Sequence, residues 1–129
     1  MMNPLDDAPA AVVQRQLEAY NRKDLEGWLA TYAPDAQQFE LGGGLLAQGQ
    51  EAIRARAEAR FADPDLQAQL IRRIQMGPVV IDHEWVIRRF PSGLGHMEMV
   101  CIYQVAHGLI QSATFSFGLP MPGMPPPNP

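Results

Sequence analysis

Residues 79–89 (Val79–Arg89) read VVIDHEWVIRR, a run of β-branched, aromatic and charged side chains that is typical of a long β-strand. Three further runs of this kind share the second half of the chain: Gln67–Met76, His96–Val105 and Leu109–Phe117. Short segments containing Gly or Pro separate the runs, at 77–78, 91–93 and 107–108. Because such short connections join antiparallel neighbours, the four runs predict an antiparallel meander.

The first half of the chain has the period of helices. A first helix is predicted over about Ala8–Arg22, with Asp6 or Asp7 as its N-cap. Positions 12, 16 and 20 share one stripe of this helix, so Gln16 should point inward and need hydrogen-bond partners there.

Two further helices are predicted by capping and spacing. Asp24 caps a second helix whose apolar positions recur at i, i+3, i+4 and i+7, and Pro34 stops it; the positions are Leu25, Trp28, Leu29 and Tyr32. A third helix is predicted over Gly49–Ala62, with Ile53, Ala57 and Phe61 on one stripe. Between these two helices, Ala36–Leu41 is predicted to be a short strand and Gly42–Gly44 a turn.

Helices first and strands last predict an α+β fold, with three N-terminal helices packed on a strongly curved, mostly antiparallel sheet. The 129 residues fit one domain, predicted over residues 1–118. Residues 119–129 are rich in proline and carry no charge. This tail is predicted to be polyproline-like or disordered, or to fold over a pocket mouth or a partner.

Composition excludes several classes of protein. The net charge is −4 and no run of Lys or Arg is present, which argues against a nucleic-acid partner. Apolar runs are short and interrupted by charge, so no membrane span is expected, and the N-terminus lacks a signal-peptide pattern. The single Cys101 excludes an internal disulfide and fits a reducing cytoplasm, which is the expected location.

Alternation assigns the strand residues to two faces of the sheet. The apolar set predicted to face the core comprises Val79, Ile81, His83, Trp85 and Ile87, then Met97, Met99, Cys101, Tyr103 and Val105, then Gln111, Ala113, Phe115 and Phe117. The opposite face is mixed, because it carries Val80, Val86, Val100 and Ile102 among polar groups. Such a face is either solvated or buried against a second copy, so a homodimer is predicted.

Several short segments carry a family resemblance: AVVQR (11–15), AYN (19–21), DLEG (24–27), YAPDA (32–36), GQEAIR (49–54), GLI (108–110) and FSF (115–117). Together they resemble the nuclear transport factor 2-like superfamily, and most of all its ketosteroid isomerase and SnoaL-like branches. The resemblance covers roughly residues 10–118. It implies a cystatin-like α+β cone around a pocket, a fold that hosts isomerases, cyclases, dehydratases, hydrolases and binding proteins.

The resemblance also implies where a steroid isomerase would keep its catalytic groups. Glu40 stands at the place of the carboxylate that moves the proton. The two oxyanion donors, a tyrosine and a protonated aspartic acid in the isomerases, correspond to Gln16 and Cys101, and a supporting tyrosine corresponds to Ala57. A thiol is a poor donor, and losing one such donor costs about 3 kcal/mol in other enzymes. Steroid isomerisation of that kind is therefore disfavoured.

Three residues are the catalytic candidates. If Glu40 faces an apolar cavity, desolvation should raise its pKa and suit it to act as a general base; otherwise it is a solvated or arginine-paired carboxylate. His83 is either a second acid–base group or a core histidine bonded to a backbone carbonyl. Gln16 would help to polarise the substrate.

The predicted ligand-binding residues are mainly aromatic, and each has the alternative of being ordinary core: Tyr20, Trp28, Tyr32, Phe39, Met99, Cys101, Tyr103, Phe115 and Phe117. Cys101 is either a nucleophile or, more in keeping with its apolar strand, a packing residue. Only one of Arg72 and Arg73 can face inward, and the pattern does not decide which.

No metal and no cofactor are expected. Asp82-His83-Glu84 does not form a metal cluster, because adjacent strand residues point apart, and no phosphate or dinucleotide fingerprint is present. The leading hypothesis is a pocket for a small apolar or ring-containing molecule, with Glu40 as the base of a cofactor-independent isomerase, cyclase or lyase. The alternative is a non-catalytic ligand-binding or dimerisation domain.

Overall fold

The computed structural model describes residues 7–127, which form helices packed on one curved sheet. The helices are α1 (Pro9–Arg22), α2 (Leu25–Leu29) and α3 (Gln50–Phe61). The strands are β1 (Tyr32–Glu40), β2 (Leu45–Gln48), β3 (Gln67–Met76), β4 (Val79–Phe90), β5 (Gly93–Ala106), β6 (Leu109–Phe117) and β7 (Met121–Pro122). The predicted α+β class and the three helices are confirmed.

The strand order in the sheet is β2-β1-β6-β5-β4-β3, and β7 pairs with β5. Strands β3 to β6 form the predicted antiparallel meander, since each pairs antiparallel with the next. Strand β1 returns from the helical half of the chain and runs parallel to β6. The sheet is therefore mostly antiparallel, as the period-2 pattern of the second half indicated.

The register of β4 against β5 decides which side chains face the helices. Asp82 lies opposite Cys101, Glu84 opposite Met99, and Val86 opposite Met97. Residues directly opposite each other in an antiparallel pair share a face. Since Met97 and Cys101 are buried, the inner positions of β4 are Val80, Asp82, Glu84 and Val86, and these four are buried too.

The predicted inner face of β4 is therefore wrong. Val79, Ile81, His83 and Trp85 are only partly buried, whereas their neighbours on the other face are buried; Ile87, from the same predicted set, is nevertheless buried. Both faces of β4 carry apolar residues, so an apolar count did not discriminate between them. Asp82 is tolerated on the inner face because it pairs with Arg73, and Glu84 is tolerated because its raised pKa keeps a large fraction of it protonated, as described below. For β5 the predicted face agrees with the structure. For β6 it agrees at Ala113, Phe115 and Phe117, but the assignment of Gln111 is wrong: the pairing with β5 shifts there, and Ile110, which is 0% exposed, lies opposite the buried Val105.

The face reversal also alters the predicted dimer surface. Val80 and Val86 are 0% and 2% exposed on the inner side, so they cannot contribute to an outer patch. Val100 and Ile102 are half-buried and lie opposite His83 and Ile81 on the outer side.

The start of α1 differs from the prediction. Its N-cap is Ala8, and no side chain caps the helix, so the predicted Asp7 cap is wrong; Asp6 lies outside the described residues. Pro9 at the first turn replaces a backbone donor that would otherwise be unpaired. The Asp24 cap of α2 is confirmed, since its carboxylate accepts the Gly27 N–H at 3.0 Å.

The first strand is longer than predicted. Helix α2 ends at Leu29, and both Tyr32 and Pro34 belong to β1 instead of to the helix. The pairing of β1 with β6 skips from Tyr32 to Gln37. Position 34 therefore needs no backbone N–H for a hydrogen bond to β6, and a proline is tolerated there. Strand β2 was not predicted.

The tail is partly integrated into the sheet. Met121 and Pro122 pair with His96 and Gly95 of β5, so the predicted polyproline-like or disordered state is wrong for these two residues. Gly95 is required for this approach, because a Cβ there would lie 2.6 Å from the Met121 carbonyl oxygen. The division at residue 118 into domain and tail otherwise stays a prediction. None of the helices in residues 7–127 combines the length and apolar character needed to cross a membrane.

Candidate functional site

A cavity of about 350 Å³ lies between the helices and the concave face of the sheet. Volumes of about 300–1,000 Å³ are usual for small-molecule sites. Its walls are mainly aromatic and aliphatic, and the lining residues include Gln16, Tyr20, Trp28, Tyr32, Gln38, Arg56, Arg60, Glu84, Arg88, Met99, Cys101, Tyr103, Phe115 and Phe117. All the predicted ligand-binding residues except Phe39 line it.

Phe39 and Glu40 lie at the end of β1, away from the cavity. The inward position of this strand is held by Gln38, which is 1% exposed, and the register of β1 with β2 shifts between Gln38 and Phe39. Glu40 is exposed, and its carboxylate lies over the turn beside Gly43. The prediction that Glu40 opens into the cavity is therefore wrong: alternation ends at the bulge, and the strand ends one residue after it.

His83 also lies away from the cavity, on the outer face of β4. Its Nε2 is 2.6 Å from Oε2 of Glu98 on β5, and the imidazole is 37% exposed. His83 therefore makes a surface contact with Glu98 and does not have the acid–base role in the cavity that the sequence predicts. The inward face of β4 belongs to its neighbours Asp82 and Glu84.

Gln16 points inward as predicted, and its amide connects two rings of the cavity wall. Its Oε1 accepts the Trp28 indole N–H at 2.8 Å, and its Nε2 donates to the Tyr103 hydroxyl oxygen at 3.3 Å. Both contacts are buried, so the amide orients Trp28 and Tyr103. Since its oxygen is already occupied, Gln16 serves as a positioning residue.

Glu84 is the carboxyl group of the cavity, and the sequence reasoning missed it. It is 4% exposed, and the Cys101 thiol, at 3.6 Å from its Oε1, is its hydrogen-bond donor. Burial, and then the negative charge of Asp82, raises the pKa of Glu84 from the ordinary 4.5 to about 7. Burial also raises the pKa of Cys101, so the thiol keeps its proton and is not a nucleophile in this state.

Asp82 precedes Glu84 by one inward position on β4. It is fully buried and forms an ion pair with Arg73. Arg73 Nε and Nη2 donate to its two carboxylate oxygens at 2.7 and 2.9 Å, and Arg73 Nη1 donates to Gln14 of α1 at 2.9 Å. The hydrogen bonds to Asp82 raise the pKa of Arg73, so the guanidinium stays charged beside the carboxylate. Arg73 is thus the inward member of the Arg72–Arg73 pair, and Arg72 is exposed. A fixed charge at Asp82 opposes a second charge at Glu84.

The Tyr32 hydroxyl is a donor without a hydrogen bond of regular geometry among the described residues, although it is buried. Its polar neighbour is the Gln38 amide, whose oxygen accepts Arg56 Nη1 at 2.6 Å. Burial raises the pKa of Tyr32 well above its usual range, so the hydroxyl keeps its proton. The contact with Gln38 lowers the pKa of Tyr32, as expected when the amide donates to the hydroxyl oxygen. The proton of the hydroxyl is then free to be donated to an oxygen of a bound molecule.

The part of the chain that the structure describes, residues 7–127, contains no group of three His, Cys, Asp or Glu side chains placed to hold a metal ion. The candidate chemistry of the cavity therefore rests on Glu84, the Tyr32 and Tyr103 hydroxyls and the Cys101 thiol. All four residues line the cavity: Glu84 lies on β4, Cys101 and Tyr103 lie on β5, and Tyr32 lies on β1.

Comparison with known proteins gives the family. The profile of the SnoaL-like domain matches residues 13–113, which is most of the chain. The chain belongs to the SnoaL-like domain family. No curated protein matches this SnoaL-like domain.

Solved structures that resemble this SnoaL-like domain share its fold at low sequence identity. A cystatin-fold protein from Novosphingobium aromaticivorans has a TM-score of 0.76 and 22% identity, over 84% of this chain and 97% of that one. A computationally designed 17-OHP binder has a TM-score of 0.72 and 21% identity, over 87% and 98%. A ketosteroid isomerase-like fold protein from Catenulispora acidiphila, in complex with trimethylamine, has 0.69 and 15%, over 84% and 85%. At these identities the likeness shows the fold alone.

Proposed function

We propose that this SnoaL-like domain binds a small, mainly apolar carbonyl compound in its cavity and moves a proton on it, with Glu84 as the acid–base group. The observation that supports this proposal is a single carboxyl group buried in the wall of an otherwise mainly apolar cavity. The reaction class is a cofactor-independent isomerisation, cyclisation or elimination. Glu84 takes the role that the sequence hypothesis gave to Glu40.

The proton balance of the isomerisation is simple. Ionised Glu84 takes a proton from the carbon that lies between the substrate carbonyl and a C=C bond. The electron pair of that C–H bond forms a new C=C bond, and the π pair of the carbonyl moves to its oxygen, which gives a conjugated enolate. Tyr32 donates a hydrogen bond to that oxygen, and protonated Glu84 returns the proton to another carbon. A carboxyl group with a pKa of about 7 is present in both forms near neutral pH, which suits it to both half-reactions.

Tyr32 is the better donor for the oxyanion because its hydroxyl has no other regular hydrogen bond among the described residues. Gln16 is engaged with Trp28 and Tyr103, and Cys101 donates its weak hydrogen bond to Glu84. A positioned donor of this type contributes on the order of 3 kcal/mol to a transition state in other enzymes.

The test uses 2-tetralone, an enolisable bicyclic ketone, and follows deuterium exchange next to its carbonyl by NMR in D₂O. Glu84→Gln should lower the protein-dependent exchange rate by about 100-fold or more, and Tyr32→Phe by about tenfold or more. Glu40→Gln is the matched control, since it removes an exposed carboxylate outside the cavity, and it should leave the rate unchanged. In the wild type, the rate should rise through about pH 7 as Glu84 ionises.

Wild-type exchange that persists in Glu84→Gln would remove Glu84 from the mechanism. If 2-tetralone binds the wild type but is not exchanged faster than in buffer, the second candidate function is favoured, which is ligand binding without catalysis. One observation supports that alternative: among the described residues that line the cavity there is no histidine and no second carboxyl group to return the proton at a carbon that Glu84 does not reach.

The homodimer stays a prediction. With Val80 and Val86 on the inner side, the outer face would contribute Ile81, Trp85, Val100 and Ile102, which are all half-buried in the single chain. A sedimentation experiment that finds only the 14.3 kDa species at micromolar concentration would exclude it.

A further inference from the structure

The cavity carries three arginines in its lining, which the proposed proton transfer does not use. Arg56 and Arg60 lie four residues apart on α3, and Arg88 lies on the inner face of β4. Arg56 and Arg60 are exposed and Arg88 is half-buried, so the three guanidinium groups are at the entrance rather than in the interior. The chain as a whole has a net charge of −4, so this positive entrance is a local feature.

None of these three arginines has a carboxylate within 4 Å among residues 7–127. Other arginines of the chain are paired in this way: Arg54 with Glu26, Arg73 with Asp82, and Arg89 with Asp65.

The contacts that the entrance arginines do make are neutral. Arg56 donates to the Gln38 amide oxygen. Arg88 Nη2 lies 3.8 Å from Met97 Sδ, and its guanidinium lies 4.8 Å from the centre of the Phe90 ring. The Arg88 Nε atom is buried and has no hydrogen-bond partner among the described residues. Each guanidinium carries five N–H donors, so most of this donor capacity is unused.

The three charges also act on one another. Burial lowers the pKa of Arg56 and of Arg88, and the neighbouring positive charge of Arg60 lowers both further. The carboxylate of Asp63 acts on Arg88 from a distance, but its own oxygens accept the backbone N–H groups of Arg89 and Asp65. Like charges held together without an anion raise the free energy of the site, and a bound anion relieves that cost.

We propose that Arg56, Arg60 and Arg88 bind the oxyanion group of an amphipathic organic acid whose apolar body fills the cavity. The guanidinium fork matches the two oxygens of a carboxylate, sulfonate or phosphate. Arg88 and Glu84 are four residues apart on one face of β4, about 13 Å along the strand. The ligand is thereby oriented, with its charged end at the entrance and its apolar, reacting end beside Glu84. This anion site rests on the proposed function, because it uses the same cavity.

The test compares two fluorescent probes with the same aromatic rings. 8-Anilinonaphthalene-1-sulfonate carries an anionic group, and N-phenyl-1-naphthylamine lacks it. At low ionic strength the wild type should bind the sulfonate about tenfold more tightly than the neutral probe. Arg60→Gln and Arg88→Gln should each weaken sulfonate binding by about three- to tenfold and leave the neutral probe unchanged. High salt should remove most of the difference between the probes.

Arg72→Gln is the matched control, since Arg72 is exposed on β3 outside the cavity lining, and it should change neither probe. Equal affinities of the wild type for the two probes, or equal losses for both probes in Arg60→Gln and Arg88→Gln, would overturn the anion site and leave the apolar cavity intact. Failure of both probes to bind would instead refute the proposed function, because the cavity would then not accept a small apolar body. Circular dichroism of each variant confirms that the fold is retained.

Discussion

Replacement of Glu84 by Gln should stabilise the protein at alkaline pH and leave its stability almost unchanged in mild acid. Glu84 is 4% exposed beside the charged Asp82, and this environment holds its pKa at about 7, against an ordinary 4.5. Between these two values the unfolded chain releases the proton while the folded chain keeps it. Stability therefore falls as the pH rises from about 4.5 to about 7, and it is constant above that.

The magnitude follows from the pKa of the folded state. One pH unit corresponds to about 1.4 kcal/mol for a single proton, so the full interval amounts to about 3 kcal/mol. Glutamine keeps nearly the shape of the protonated carboxyl group and cannot ionise, so Glu84→Gln avoids this loss. The variant should exceed the wild type by about 3 kcal/mol at about pH 8 and by less than about 1 kcal/mol at about pH 5.

Urea unfolding of both proteins at several pH values between about 5 and 8 measures this difference. Effects of all other titrating groups cancel in the comparison. Glu58→Gln, which removes an exposed carboxylate of α3 outside the cavity, is the control for the loss of a carboxylate as such. A stability difference between Glu84→Gln and the wild type that is flat across this range would show that Glu84 titrates like a solvated carboxylate, and the acid–base role would lose its physical basis.

Three further predictions concern the framework of the site. Arg73→Met leaves the fully buried Asp82 without its partner and should lower the free energy of unfolding by about 3 kcal/mol at neutral pH, as measured by urea. Cys101 is buried and its pKa is raised, so it should resist a thiol reagent at about pH 8 in the native protein and react at once in urea. Asp24→Ala removes the cap of α2 on the Gly27 N–H and should cost about 1 kcal/mol, measured by the same urea unfolding.

The contradicting outcomes are equally specific. Arg89→Gln breaks an exposed Arg–Asp pair and should cost less than about 1 kcal/mol; a loss as large as that of Arg73→Met would show that burial does not set the value of the ion pair. Rapid labelling of native Cys101 would mean that the cavity wall opens readily. An unchanged stability of Asp24→Ala would show that the short α2 is held by its packing alone.

The antiparallel meander was predictable because two signals agree: the two-residue alternation within each run, and the short Gly- or Pro-containing turns between the runs. Strands β3 and β6 have the predicted bounds, and the third helix differs from its predicted span by one residue at each end. The second helix was predicted to be too long, because Tyr32 continues the helical spacing of Leu25, Trp28 and Leu29. Such spacing does not show where a helix ends, and α2 ends at Leu29. Tyr32 is buried in β1 because the parallel pairing with β6 begins there.

The buried carboxyl group of the cavity, Glu84, was not predictable from β4 alone. Both faces of β4 carry two or more apolar residues. Alternation alone therefore favoured the face with the larger apolar side chains, which is the outer face in the structure. Strand β5 is less ambiguous, because Met97, Met99 and Cys101 oppose Glu98 and Gln104. The signal that was available is the register across the 91–93 turn, which sets Glu84 opposite Met99 and would have transferred the face of β5 to β4.

Strand β4 orders its inward side chains by polarity: a buried ion at Asp82, a titratable acid at Glu84, an aliphatic spacer at Val86 and a cation at Arg88. The same strand holds a second, unrelated series on its other face. A slip of β4 by one residue relative to β5 would exchange the two series, so that Ile81, His83 and Trp85 would enter the cavity together. Evolution of ligand preference in this scaffold is therefore expected to proceed by substitution along β4, whereas length changes should be confined to the turns that flank it.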